Sequence, residues 1–181
     1  FYDASWVLTE ALQLFCTDSF ADFGLLQSTI HDAWARKYSS TIGEGLRYSS
    51  SDAFDTFAIP ADHSAVNPIA QSYYEARQTV MLSRQEGLTK TYNRFHNRSE
   101  QSPDIAQLRA LHVEMDQAVA AAYGWSDLDL GHGFHATKQG ERYTISEPAR
   151  RTVLDRLLAL NHQRHAEEVA AGLHDKKPKK P

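Results

Sequence analysis

The sequence predicts an α+β protein that is predominantly helical, with a small sheet in the N-terminal third followed by a bundle of three or four helices. Apolar residues recur every three or four positions over much of the last two thirds of the chain, which is the period of amphipathic helices. Between residues 39 and 60, two glycines interrupt this period and aromatic residues follow. That pattern indicates short extended pieces joined by turns.

Residues 6–16 are compatible with two elements. Alternating apolar positions indicate a strand, whereas a second set of apolar positions has helical spacing, and we favour the strand. Cys16 is expected to be a small core residue. Asp18 or Ser19 can cap the helix that follows and that runs to about Tyr38. The apolar stripe of this helix consists of Phe20, Phe23, Leu26, Ile30 and Trp34.

Glycines mark the regions between helices. Gly43 and Gly45 end the first helical pattern, and the extended pieces after them are expected to stop at Pro60. Residues 126–145 are predicted to form a glycine-rich loop with a short strand near residues 142–145.

Proline and glycine also define three later helices. A long helix begins at Asn67-Pro68 and is bent or interrupted at Gly87. The next begins at Ser102-Pro103-Asp104 and ends at Gly124. Ser146-Glu147-Pro148 begins the last helix.

Composition limits the class of protein. The 181 residues, of which 41% are hydrophobic, are sufficient for one domain or two small ones. We find no signal peptide and no apolar run of membrane-spanning length. The single cysteine excludes an internal disulfide and fits a reducing compartment. We therefore expect a soluble, cytoplasmic protein without membrane contact.

The charge distribution is uneven. A net charge of −4 argues against a uniformly basic nucleic-acid binder, so any polyanion has to be bound locally. Basic residues concentrate in residues 76–98, acidic residues in residues 99–129, and lysines near the end of the chain.

The richest set of candidate binding residues lies in residues 34–60, where basic and hydroxyl side chains surround a predicted glycine turn. Such side chains contact phosphates and base edges in protein–DNA complexes. The candidates are Arg36, Lys37, Arg47, Tyr48, Ser49 and Ser50. The alternative is a solvated surface with an ordinary serine-rich turn.

The basic segment, residues 76–98, supplies three further candidates for backbone contact, Lys90, Asn93 and Arg94. The alternative is that this segment pairs with the acidic residues 99–129, which offer complementary charge and a helix to pack against.

Two histidine pairs suggest a metal site, His132 with His135 and His162 with His165. A zinc site would add cysteines or carboxylates in a recognisable pattern, so we expect His132 and His135 to stabilise the loop through hydrogen bonds instead. No nucleophile motif surrounds a serine, and we expect neither a catalytic residue nor a metal in this chain.

Several short motifs occur in a specific order along nearly the whole chain. They are Leu26-Gln27-Ser28-Thr29-Ile30-His31-Asp32-Ala33-Trp34, Leu46-Arg47-Tyr48-Ser49, Phe54-Asp55-Thr56-Phe57, Gly87-Leu88-Thr89-Lys90-Thr91-Tyr92-Asn93-Arg94-Phe95-His96 and Asp116-Gln117-Ala118-Val119-Ala120-Ala121-Ala122-Tyr123-Gly124-Trp125. In this order they resemble the C-terminal target-recognition region of type IIG and related restriction–modification enzymes. Those enzymes have an N-6 adenine-specific DNA methylase core.

The resemblance implies a bacterial DNA adenine methyltransferase that uses S-adenosylmethionine, with or without an endonuclease domain. The methylase motif Asn-Pro-Pro-Tyr is missing, since Asn67-Pro68 continues as Ile69-Ala70. No glycine-rich cofactor loop follows a predicted strand either. We therefore expect no cofactor site in this chain, and an upstream methylase domain of the same parent chain as the place of catalysis.

On this interpretation, residues 1–62 form the end of the recognition region, residues 63–175 a helical C-terminal region, and residues 176–181 a disordered basic tail. The predicted function is to bind and position double-stranded DNA. The alternative is a structural helical module that makes protein–protein or interdomain contacts without touching DNA.

Overall fold

A computed structural model describes residues 13–42 and 45–173. These residues form six α-helices and two small antiparallel sheets, which confirms the predicted α+β, predominantly helical class. The helices are α1 (Phe20–Gln27), α2 (Thr29–Tyr38), α3 (Asn67–Arg84), α4 (Leu88–Phe95), α5 (Pro103–Ala122) and α6 (Glu147–Ala170). The strands are β1 (Ser40–Ile42), β2 (Gly45–Arg47), β3 (Gly133–Thr137) and β4 (Gly140–Thr144).

The first predicted helix is in fact two helices, because the chain turns at Ser28. Ser19 caps α1 as predicted, by accepting a hydrogen bond from the Asp22 amide. Ser28 is extended, with φ −64° and ψ 153°, and its hydroxyl accepts a hydrogen bond from the His31 amide. The prediction of one continuous helix was therefore wrong at Ser28, whereas the predicted end at Tyr38 is confirmed.

The predicted sheet in the N-terminal third is a two-stranded hairpin. β1 and β2 pair antiparallel with Ser40 opposite Arg47, and residues 43–44 at its tip lie outside the described residues. After β2, Ser49 caps a π-helical turn over Ser50–Phe54. The prediction of extended pieces as far as Pro60 was therefore wrong beyond Arg47, because the backbone bonds locally through the cap.

The segment before α1 differs from its prediction. Residues 13–19 have no regular secondary structure, so the strand predicted over residues 6–16 is wrong for residues 13–16. Residues 6–12 lie outside the described residues. Cys16 is exposed and is not the core residue that the sequence suggested.

Helices α3, α4 and α5 begin and end near the prolines and glycines that predicted their boundaries. The helix expected at Asn67-Pro68 is α3, and the interruption expected at Gly87 is the short loop between α3 and α4. In that loop Gln85 adopts a left-handed conformation with φ 51°. α5 begins at Pro103, and Gly124 follows its end with φ 77°.

A buried arginine fastens α5 to the end of α4. The Arg109 side chain donates hydrogen bonds to the backbone carbonyls of Phe95, Arg94, Asn97 and Glu100. Its guanidinium also lies 5.0 Å from the ring centre of Phe134 and 5.5 Å from that of Tyr143. Arg109 therefore satisfies carbonyls that a helix end leaves without partners.

The predicted loop over residues 126–145 contains a hairpin. β3 and β4 pair antiparallel from Gly133 opposite Thr144 to Thr137 opposite Gly140, so the predicted strand near residues 142–145 has a partner that was not predicted. Gly140 has φ +91°, which favours glycine at this tight turn.

Helix α6 begins where Ser146 accepts a hydrogen bond from the Ala149 amide, as predicted. Its buried side chains, Ala149, Val153 and Leu157, all lie in its first half. Beyond Leu157, the described residues of α6 contain no buried side chain.

One hydrophobic core joins both predicted regions of the chain. Its large, fully buried side chains come from α1 to α6 and include Leu25, Ile30, Trp34, Tyr73, Phe95, Leu108, Met115, Val153 and Leu157. Within residues 13–42 and 45–173, the helices are too short or too polar to cross a membrane.

Candidate nucleic-acid interface

The base of the first hairpin opens into a polar pocket of about 310 Å³. The pairing of β1 with β2 places Arg47 at its edge, and the Ser49 amide donates to the Ser39 hydroxyl at 3.1 Å. The pocket is lined by Gln13, Ser40, Arg47, Tyr48, Ser49, Ser50 and Asp52. The structure therefore brings four of the predicted binding residues, Arg47 to Ser50, to one concave surface.

Arg47 is the cation of this pocket. It is exposed, and no carboxylate of the described residues lies within ion-pair distance of its guanidinium. Asp52, on the same pocket, instead accepts the Ser49 hydroxyl at 2.6 Å. Ser49 thus serves to cap the turn, while the exposed Ser50 keeps its hydroxyl on the pocket surface.

Tyr48 forms part of the pocket wall but uses its hydroxyl internally. Its Oη lies 3.0 Å from Nε2 of the buried His31, and its ring packs edge-on to Phe15 at 6.0 Å. Burial, together with the charge of Asp55, raises the pKa of Tyr48 to about 12. Burial lowers the pKa of His31 to about 4, so this pair is neutral near pH 7 and fixes the wall in place.

Arg36 and Lys37 lie on the last turn of α2, directly before the hairpin. Cations at this position interact favourably with the partial negative charge of a helix C-terminus. Arg36 Nε donates to Asp32 at 2.7 Å, and its Nη1 donates to Gln139 of the second hairpin at 2.8 Å. Lys37 is exposed and has no carboxylate of the described residues within ion-pair distance.

The basic segment of α3 and α4 is largely neutralised by its own chain. Arg84 pairs with Asp104 at 2.7 Å, and Arg94 pairs with Glu86 at 3.1 Å and Glu100 at 2.9 Å. The predicted alternative, pairing with the following acidic residues, holds for Arg84 and Arg94.

The partners of Glu100 also change the pKa of its carboxyl group. The Ser102 hydroxyl and the Arg94 guanidinium lower the pKa of Glu100 to about 2. Arg94 is consequently the least available of the predicted contacts, whereas Lys90 and Asn93 are exposed on α4.

A buried polar network that the sequence analysis missed supports the break between α1 and α2. Asp116 of α5 is completely buried and accepts hydrogen bonds from the Thr29 amide at 2.8 Å and from its hydroxyl. His132 Nε2 lies 2.8 Å from the same carboxylate, and His112 Nε2 lies 2.9 Å from the Thr29 hydroxyl. Asp116 therefore caps α2 from another helix.

Electrostatics in this network favour an ionised carboxylate. Burial would raise the pKa of Asp116, but His112, His132 and Thr29 together outweigh burial and hold it below the usual range. Burial lowers the pKa of His112. The only signal in the sequence was an aspartate within the apolar face of a helix.

The predicted hydrogen bonds of the loop histidines are confirmed, since His135 Nε2 also lies 2.9 Å from the Gly131 carbonyl. In the described part of the chain, no cluster of three or more histidine, cysteine, aspartate and glutamate side chains is arranged to hold a metal ion. Both described sheets are antiparallel pairs, unlike the parallel strand–loop–helix unit that holds dinucleotides.

The chemistry that this arrangement supports is binding. Arg47 and Ser50 line the pocket, and Lys37 is exposed on the preceding helix. Guanidinium, hydroxyl and ammonium groups are hydrogen-bond donors that can bind phosphate oxygens. Comparisons with protein-family models, curated proteins and solved structures find no match for this chain.

Proposed function

We propose that this chain binds duplex DNA through the pocket and the last turn of α2, and that it positions DNA for a bacterial adenine methylase of the restriction–modification kind. The order of sequence motifs motivates the enzyme class. The observation that carries the binding proposal is Arg47, an exposed guanidinium on a concave surface that has no carboxylate within ion-pair distance among residues 13–42 and 45–173.

The distribution of ion pairs supports this location. Most arginines of the described residues are bonded within the chain, as Arg84, Arg94 and Arg156 are to carboxylates. Lys37 and Arg47 are not, although the protein as a whole is acidic. Cations that have no carboxylate partner among the described residues attract phosphates and add little to folding.

The buried neighbours of the pocket supply rigidity. Trp34 Nε1 donates to the Thr56 hydroxyl at 3.2 Å, and Asn161 of α6 donates to the Thr56 carbonyl at 2.7 Å. The segment after the pocket is thereby attached to two helices. A fixed pocket loses less conformational entropy when it binds.

The test is a fluorescence-anisotropy titration of labelled duplex at about 50 mM and 200 mM salt, with the 181-residue chain. We expect the double variant Lys37→Gln/Arg47→Gln to bind roughly fivefold more weakly per lost contact, because an exposed charged contact contributes up to about 1 kcal/mol. Arg151→Gln is the matched control, since Arg151 is exposed and pairs within its own helix. Equal affinities of the double variant, the control and the wild type would refute this site.

A structural module that contacts protein is the second candidate, and the outer half of α6 favours it. Val169 is 52% exposed and Leu173 is 73% exposed. Leu82, at the end of α3, is 71% exposed. Contiguous exposed apolar surface marks contact sites, and Val169 and Leu173 are four positions apart where α6 ends. This candidate predicts no duplex binding at about 50 mM salt, a concentration at which phosphate contacts are strong. It also predicts less concentration-dependent association for Val169→Glu in sedimentation experiments.

A further inference from the structure

The second hairpin, β3–β4, lies beside the last turn of α2. The hydrogen bond of 2.8 Å from Arg36 Nη1 to the Gln139 side chain joins them. Gln139 and Lys138 form the turn between β3 and β4. The hairpin therefore presents its turn at the end of α2 that also leads into β1.

Two basic side chains of this hairpin have no acidic partner among the residues that the structure describes. Lys138 is exposed and Arg142 is half-buried on β4, and no carboxylate of the described residues lies within 4 Å of their charged groups. The nearby acids already have partners, because Glu141 pairs with Arg98 at 2.7 Å and Asp32 pairs with Arg36 at 2.7 Å. Lys138 and Arg142 therefore carry their charge on a hairpin whose turn is joined to the last turn of α2, the turn that also carries Lys37.

The electrostatic effect reaches a neighbouring histidine. His96 follows α4, and its pKa is lowered to about 4. Burial is the largest cause, followed by the charges of Arg142, His112, Arg36 and Arg109. Arg142 and Arg36 thus act on one imidazole from two different elements. Positive charges on neighbouring elements repel each other, and a bound polyanion reduces that repulsion.

We infer that Lys138 and Arg142 are further phosphate-contacting residues, and that the ligand is a nucleic-acid backbone that spans both hairpins. This inference rests on the proposed function and deepens it. We call the set of Lys37, Arg47, Lys138 and Arg142 the two-hairpin surface. A chain of linked phosphates can contact cations on both hairpins at once, whereas a single phosphate ion contacts one of them.

The test compares two charge-removing pairs in the full chain, Lys138→Gln/Arg142→Gln and Lys37→Gln/Arg47→Gln, with Arg151→Gln as control. Glutamine keeps most of the side-chain stem, and thermal melting verifies that each variant is folded. Labelled duplex is titrated at several salt concentrations, with inorganic phosphate at matched ionic strength as competitor. Each phosphate contact that is lost should reduce the slope of log Kd against log salt by about 0.9.

We expect each pair to weaken duplex binding by at least about tenfold at 50 mM salt and to reduce the salt slope, while inorganic phosphate fails to displace the duplex. If Lys138→Gln/Arg142→Gln behaves like the control and Lys37→Gln/Arg47→Gln does not, the inference is refuted and the proposed function stands. Displacement by phosphate at matched ionic strength also refutes a spanning backbone. If neither pair differs from the control, or the wild type does not bind, the proposed function is refuted as well.

Discussion

Replacing Asp116 by alanine should destabilise the protein strongly. Its carboxylate is completely buried and holds the Thr29 amide, the Thr29 hydroxyl and His132. Alanine leaves these donors buried without an acceptor, which costs about 1–3 kcal/mol for each unsatisfied group. Loss of one partner from a buried charge network costs about 3–5 kcal/mol in all, and we expect a value in that range.

Urea denaturation followed by circular dichroism measures this change. Asp155→Ala is the matched control, because Asp155 is exposed on α6 and an exposed substitution usually changes stability by less than about 0.5 kcal/mol. A loss below about 1 kcal/mol for Asp116→Ala would contradict the role of this network as the cap of α2.

The loss of stability caused by Asp116→Ala should depend on pH. Because its pKa is lowered on folding, the ionised carboxylate contributes stability above the unfolded pKa of about 3.9, and this contribution is lost as the pH falls through the folded pKa. The difference between wild type and Asp116→Ala should therefore shrink below about pH 4.

Three further outcomes follow from buried groups elsewhere in the fold. The free energy of unfolding should decrease as the pH falls from about 6.5 towards 4, because His31, with its pKa lowered to about 4, stays neutral in the folded protein while the unfolded chain takes up a proton. Urea titrations at several pH values should show a flatter pH profile for His31→Gln. An unchanged profile would contradict this assignment. Arg109→Ala should lower the melting temperature by roughly 6–12 °C, which corresponds to about 3 kcal/mol, because the Phe95 and Glu100 carbonyls lose their side-chain donor. A shift below about 2 °C would show that these hydrogen bonds contribute little. Gly24→Ala should reduce the stability by about 1–3 kcal/mol, because the new Cβ would lie 2.6 Å from the Ala70 Cβ. At Gly87 a new Cβ faces open space, so Gly87→Ala should have little effect in the same thermal melts.

Helix starts and ends could be predicted because they depend on neighbouring residues. Ser102 before Pro103 and Ser146 before Glu147-Pro148 are local signals, and each precedes a helix in the structure. The break at Ser28 could not be predicted, since the apolar stripe continues through it. Its stabilising partner, Asp116, lies 87 residues from Thr29 in the sequence.

The second hairpin shows the same limit. Its first strand, Gly133–Thr137, has neither a run of β-branched residues nor a clear alternation of apolar side chains. It is a strand because β4 pairs with it and because Phe134 packs on Arg109. Such tertiary contacts override weak local propensity.

The residues of the proposed binding surface could be predicted in part. The residue types around the first glycine turn indicated phosphate contact, and Arg47 to Ser50 do line one pocket. Arg94 is neutralised by Glu86 and Glu100, which are eight and six residues away, and the sequence offered pairing with residues 99–129 as an alternative. The position of the second hairpin beside α2 could not be predicted, because Arg36 and Gln139 are 103 residues apart.

The salt dependence of duplex binding by the wild-type chain tests most directly whether this protein binds a nucleic-acid backbone through phosphate contacts. With phosphate contacts from the two-hairpin surface, log Kd should change with log salt with a slope of about 2–4, at about 0.9 for each contact. A slope near zero, or no binding at about 50 mM salt where such contacts are strongest, would contradict this account and favour a module that contacts protein alone.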